Sequence, residues 1–137
     1  MKKYVRILCL GLLLGVISTN AANNEIEVVF TNPLKTIVVK QSKPVFSIVL
    51  HSNPTTGYLW VLKNYDSNLI SPVSRKFYPP VNKKLMGVPG YEKWTFRVKP
   101  SGFIVPQLTG ITLIYLRPWD EQGAQVINFK VVTNNAN

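Results

Sequence analysis

From Glu25 onward, apolar and polar residues alternate with a period of two, and no window of helical length carries an apolar stripe repeating every 3.6 residues. The pattern predicts an all-β chain. Strands are expected at Ile26–Phe30, Thr36–Lys40, Val45–Leu50, Tyr58–Leu62, Tyr91–Val98, Ile111–Leu116 and Val126–Thr133. Shorter extended stretches are expected at Leu69–Val73, Arg75–Tyr78 and Phe103–Pro106. About seven to eight short strands separated by turn signals suggest an antiparallel β-sandwich of two sheets.

The alternation also assigns faces. Trp94, Phe96 and Val98 interleave with Lys93, Thr95, Arg97 and Lys99, the mark of a strand with one buried and one wet face. Phe46, Ile48 and Leu50 share an inward face opposite Ser47 and His51, and Tyr58, Trp60 and Leu62 do so after the next break. Ile127, Phe129 and Val131 supply the last strand. Val49, Val61, Ile114 and Leu116 are apolar on the opposite faces, so the central strands are expected to be covered on both sides or to lie near a covering segment. Breaks are expected at Asn32-Pro33, Lys43-Pro44, Ser71-Pro72, Pro79-Pro80, Pro100-Ser101-Gly102 and Gln122-Gly123, because proline cannot donate to a ladder and glycine permits positive φ. The longest break, from Pro79 to Gly90, reads as the most mobile element.

The first residues read differently. Lys2, Lys3 and Arg6 precede the apolar run Ile7–Ile17 and the small, polar Ser18–Ala22, which is the pattern of a signal peptide cut after Ala21 or Ala22. The run falls short of the ~20 residues that a membrane-spanning helix needs. The expected organisation is a leader over residues 1–22 and one domain over residues 23–137, exported to the periplasm or secreted. Cys9 lies in the leader, so the exported chain is expected to rely on packing, without disulfide or thiolate chemistry. Loss of three basic residues takes the formal charge from +10 to +7. The lysines stand singly apart from Lys83-Lys84, which suits solvated strand faces and protected edges rather than a nucleic-acid arm.

Catalysis finds little material. Beyond the leader there is no thiol, the one histidine is His51, and Glu25, Glu27, Asp66, Glu92, Asp120 and Glu121 show no spacing that suggests a carboxylate pair or an oxygen cage. The glycines form no phosphate-cradling fingerprint. No enzyme, metal or cofactor is expected, and the candidates for function are loops.

Asn53-Pro54-Thr55-Thr56-Gly57-Tyr58 interrupts two apolar runs with turn formers and a left-handed position at Gly57, yet its two β-branched threonines are not what a turn requires. Gly87-Val88-Pro89-Gly90 is either a hairpin tip or a backbone able to lie close against another chain. Arg117-Pro118-Trp119 is either a strand end whose indole folds onto the core or an exposed aromatic anchor.

Taken in order, with Trp60 after the first segment and Tyr115 before the third, these motifs resemble the chagasin-like inhibitors of papain-family cysteine proteases over essentially the whole exported chain. The resemblance implies an immunoglobulin-like sandwich whose three loops form a wedge at one end. It implies that Asn53–Tyr58 enters the protease cleft, with Thr55 and Thr56 near the catalytic cysteine and histidine. It places Gly87–Gly90 against the substrate-binding side through backbone hydrogen bonds, and packs Trp119 on an aromatic surface across the cleft. The partner implied is a papain-like (cathepsin L-like) cysteine protease, met reversibly and non-covalently by a monomer, without nucleic acid and without a membrane once the leader is removed. The second loop departs from the family pattern at Pro89, where a glycine is usual, so that position has no N–H to donate and a fixed φ. A competing reading is an exported immunoglobulin-like binding or adhesion module without inhibitory activity.

Overall fold

The computed structural model describes residues 27–81 and 87–135. The expected leader with Cys9, the start of the first strand at Ile26, and Lys83-Lys84 in the longest break lie outside the described residues. Eight strands follow in order: β1 (Val28–Phe30), β2 (Ile37–Lys40), β3 (Val45–Ser52), β4 (Leu59–Tyr65), β5 (Ile70–Tyr78), β6 (Gly90–Val98), β7 (Leu108–Arg117) and β8 (Asp120–Asn134). They form two four-stranded sheets, ordered β1-β3-β6-β5 and β2-β8-β7-β4.

The sandwich is as expected, with one difference in strand sense. β1 pairs with β3, and β2 with β8, in parallel; the other pairings are antiparallel. The chain leaves β1 in one sheet, runs through β2 in the other and returns as β3, so β1 and β3 are not hairpin neighbours and need not oppose each other.

The alternating apolar positions meet between the sheets. Phe46, Ile48, Leu50, Trp94, Phe96 and Val98 from one sheet pack with Ile37, Trp60, Ile111, Leu113, Phe129 and Val131 from the other in one buried cluster. Phe46 and Phe96 stack with centroids 5.7 Å apart, and Phe30 meets Phe46 edge-on at 6.4 Å. Burying a side chain of this size contributes about 1.5–3 kcal/mol.

Ser47, expected on the wet face, is buried, because β1 and the residue before it cover that position: its hydroxyl donates to Glu27 and lies 2.9 Å from Thr95 Oγ1. The expected cover over Val61 and Ile114 is not found among the described residues. Val61 is 37% exposed, and Val61, Ile114 and Val126 instead line up as cross-strand neighbours on β4, β7 and β8. Such pairs gain from mutual contact without a third layer.

Several expected breaks and stretches are corrected. Leu69–Val73 and Arg75–Tyr78 are parts of one strand, β5, which runs through Pro72 with a bulge at Val73. Proline is tolerated there because β5 is an edge strand, where a missing donor leaves no partner unserved. Gln122-Gly123 does not stop β8; it lies in the irregular stretch where Tyr115 and Arg117 on β7 face Gln125 and Asp120. Phe103–Pro106 is not extended. Pro100–Phe103 is a 3-10 turn held by Gly102 N–H to Lys99 O at 2.9 Å and Ser101 Oγ–H to Asn68 O at 2.9 Å, and it drops Phe103 into the core.

Candidate functional site

The β3–β4 connection, the Gly87 end of the β5–β6 connection and the β7–β8 connection come together at one end of the sandwich, and Asn53 joins the first two. Its backbone N–H donates to Tyr115 Oη at 3.0 Å, and its amide Nδ2 donates to Gly87 O at 3.4 Å. Its Oδ1 accepts from Thr55 Oγ1 at 2.6 Å, and its carbonyl accepts from Thr56 Oγ1 at 2.7 Å and Thr56 N at 3.1 Å. One residue therefore closes its own loop and ties it both to β7 and to the second loop. The sequence marked Asn53 as a turn former and, through the resemblance, as part of the segment that enters the cleft, but not as the residue that joins two loops. The clue available there was an asparagine two residues before one hydroxyl and three before another, the spacing of local side-chain bonds.

Pro54–Thr56 forms a 3-10 turn that ends on Gly57, at φ 80° and ψ −3°, with Gly57 N–H donating to Pro54 O at 3.0 Å. The left-handed position expected for Gly57 is thus present, and the two threonines gain an account. Both are exposed, but both hydroxyls are engaged with Asn53, so they lock the turn they were expected to disfavour.

The third loop leans on the first. Pro118 and Trp119 form a two-residue turn between Arg117 and Asp120, which pair across β7 and β8. Trp119 does not fold into the core; it is 74% exposed. Its ring lies over Gly57 so closely that a Cβ at that glycine would come within 2.6 Å of it. Arg117 Nε donates to Thr56 O at 3.1 Å, and its guanidinium lies 4.6 Å from the Tyr58 ring centroid. Below it, Tyr58 stacks on Tyr115 at 5.1 Å and Tyr115 meets Trp60 at 4.8 Å, while Trp60 Nε1 donates to His51 O at 2.9 Å. Arg117, Tyr58, Tyr115 and Trp60 form a column from the loop into the core. It joins residues that the sequence placed in separate motifs.

The second loop divides. Gly87 (φ 82°), Val88 and Pro89 are exposed, and none of the described residues lies within 4 Å of the place a Gly87 Cβ would occupy. Gly90 is buried opposite Ser52, and a Cβ there would come within 2.3 Å of Tyr78 O. Its missing side chain is accounted for by the close approach of β5, whereas Gly87 is accounted for by its positive φ. His51 is exposed and contributes its carbonyl to the column.

Residues 41–132, which include all three loops, match the family described as "Chagasin family peptidase inhibitor I42". The chain belongs to this family. It is a family of peptidase inhibitors rather than enzymes, which favours the inhibitor reading over that of a plain adhesion module. Among relatives of this chagasin-family chain, chagasin of Trypanosoma cruzi is 36% identical over 76 residues, a stretch covering 53% of this chain and 64% of that protein, just under two thirds of its length. In structure the chain is similar to the cysteine protease inhibitor EhICP2 of Entamoeba histolytica, with a TM-score of 0.57 and 20% identity over 77% of this chain and 93% of that one. It is likewise similar to amebosin, with a TM-score of 0.59 and 23% identity over 78% of this chain and 97% of that one. At these identities the two structures show the shared fold.

Proposed function

We propose that this chagasin-family protein is a reversible, non-covalent inhibitor of papain-like, cathepsin L-like cysteine proteases, acting as a monomer that seats its three-loop end in the active-site cleft. The observation that carries the reading is that Asn53 closes the first loop and ties it to the second, while Arg117 and Trp119 set the third against it, with Thr55, Thr56 and Trp119 left exposed. A preset loop loses little conformational entropy on binding. An inhibitor interface of ordinary size covers about 800 Å² on each partner, within reach of three adjacent loops.

Asn53–Tyr58 is the central prong, with Thr55 and Thr56 facing the catalytic cysteine and histidine. The 3-10 turn at Pro54–Thr56 supports blockage without cleavage: its backbone is closed on itself, so no extended peptide bond is offered to the nucleophile. Gly87–Pro89 provides backbone for the substrate-binding side, and Gly90 sets the direction of that backbone from within β6. Pro89 has no N–H to give and stiffens the prong. Arg117 and Pro118 carry Trp119, an aromatic anchor of the type that dominates interface energetics, toward a surface across the cleft.

A leader over residues 1–22 would deliver the domain to the periplasm or outside the cell, where such proteases could be met without a membrane, nucleic acid or cofactor. Steady-state inhibition of papain by residues 23–137 tests the proposal. Dose-dependent, dilution-reversible inhibition at sub-micromolar protein is expected. No effect on papain or on several cathepsin L-like enzymes would end it.

A further inference from the structure

We infer that Glu92 is a positioning residue for the loop end, its buried carboxylate fixing the roots of the first two loops; this rests on the inhibitory reading just given. Glu92 faces inward on β6, in line with Trp94, Phe96 and Val98, and is 1% exposed. Among the described residues it is the one charged side chain that is buried. An apolar residue would continue the row, and replacing a buried ion pair with packed apolar groups is commonly neutral or stabilising. Stability alone is therefore a poor account of a carboxylate at this position.

Its contacts supply another. Oε1 accepts from Ser52 Oγ at 2.8 Å, and Oε2 accepts from Arg75 Nε at 2.7 Å. Ser52 is the last residue of β3, directly before the Asn53 junction. Gly90, two residues before Glu92, pairs with Ser52 and ends the second loop. Arg75 lies on β5, the strand that leads into the second loop, and its guanidinium sits 5.4 Å from the Trp94 ring centroid. The Trp94 indole Nε1 is buried with no hydrogen-bond partner, so it makes no competing claim on the carboxylate. One carboxylate thus joins the strand that ends at the first loop to both strands that flank the second. Through Ser52 it sets where Asn53 stands, and Asn53 holds the rest.

The test separates positioning from stability. Glu92→Leu leaves the buried Ser52 hydroxyl and the Arg75 guanidinium without their acceptor, so it is expected to lower the melting temperature as Val98→Ala does, but also to raise the Ki for papain about tenfold and to speed amide exchange at Thr56 and Gly57. Val98→Ala, at the far end of the same buried row, is expected to lower the melting temperature and leave Ki unchanged. Should Glu92→Leu not fold, Ser52→Ala removes only the link to the first loop and is expected to show the same rise in Ki and in exchange. Unchanged Ki and exchange in a folded variant overturn the inference. If the parent protein does not inhibit papain, the inhibitory reading fails by itself, and the exchange rates at Thr56 and Gly57 still decide whether Glu92 positions the loop.

Discussion

Asn53, Gly57 and Trp119 are expected to act separably on stability and on binding. Asn53→Ala removes the side-chain bonds to Gly87 O and Thr55 Oγ1 while sparing the backbone bond to Tyr115. A loss of about 1 kcal/mol in stability is expected by chemical denaturation, with a larger proportional loss in papain affinity because two loops are released together. Gly57→Ala meets both a positive φ and the ring of Trp119, so it is expected to cost about 1 kcal/mol or more and to displace the indole, seen as a shift in tryptophan fluorescence. Trp119→Ala should leave the melting temperature almost unchanged, since the ring is mostly exposed, while weakening inhibition by about 2 kcal/mol, some thirtyfold. The sequence made Gly57 and Trp119 legible one at a time, as a turn glycine and a candidate anchor. It could not show that each explains the other, because that contact joins residues far apart in the chain.

Among the elements, β1 is short, and the carboxylate of Glu27 just before it is held by Lys93 of β6 and Ser47 of β3. The hydrogen bond from Lys93, then that from Ser47, pulls the Glu27 pKa below its ordinary value. A carboxylate depressed in the folded state stabilises above its unfolded pKa and loses that contribution as pH falls through the folded pKa. Stability should therefore decline on acidification below the ordinary carboxylate range. Glu27→Gln should flatten that part of the melting temperature against pH profile while leaving loop contacts at the other end intact. Strand existence was readable from alternation, and β3, β6 and β8 keep nearly the expected faces. What alternation could not show was tertiary: that β5 lies at an edge where Pro72 is tolerated, and that Glu92 faces inward because Arg75 and Ser52 meet it there. A polar residue in an inward register reads as a mismatch until its partners are known.

At the scale of the molecule, two sheets serve to hold three loops at one end, and the core column of Trp60, Tyr115 and Tyr58 carries that rigidity to the tip. The order and spacing of the loop motifs pointed to the family before any contact was visible, and the match over residues 41–132 agrees. The joining of the first two loops at Asn53, and of the third to the first through Arg117 and Trp119, was not in the sequence, because it depends on which strands are neighbours. Pro89 belongs to this scale too: Pro89→Gly restores a backbone donor but loosens the second loop, and measuring Ki for papain with and without it shows which effect prevails. A lower Ki is expected if the restored donor outweighs the added flexibility. The most direct measurement is a titration of papain with residues 23–137 beside the same titration with Trp119→Ala. Sub-micromolar, reversible inhibition by the first and a loss of about thirtyfold in the second are expected; papain left fully active, or equal potency for the two proteins, would refute inhibition through the three-loop end.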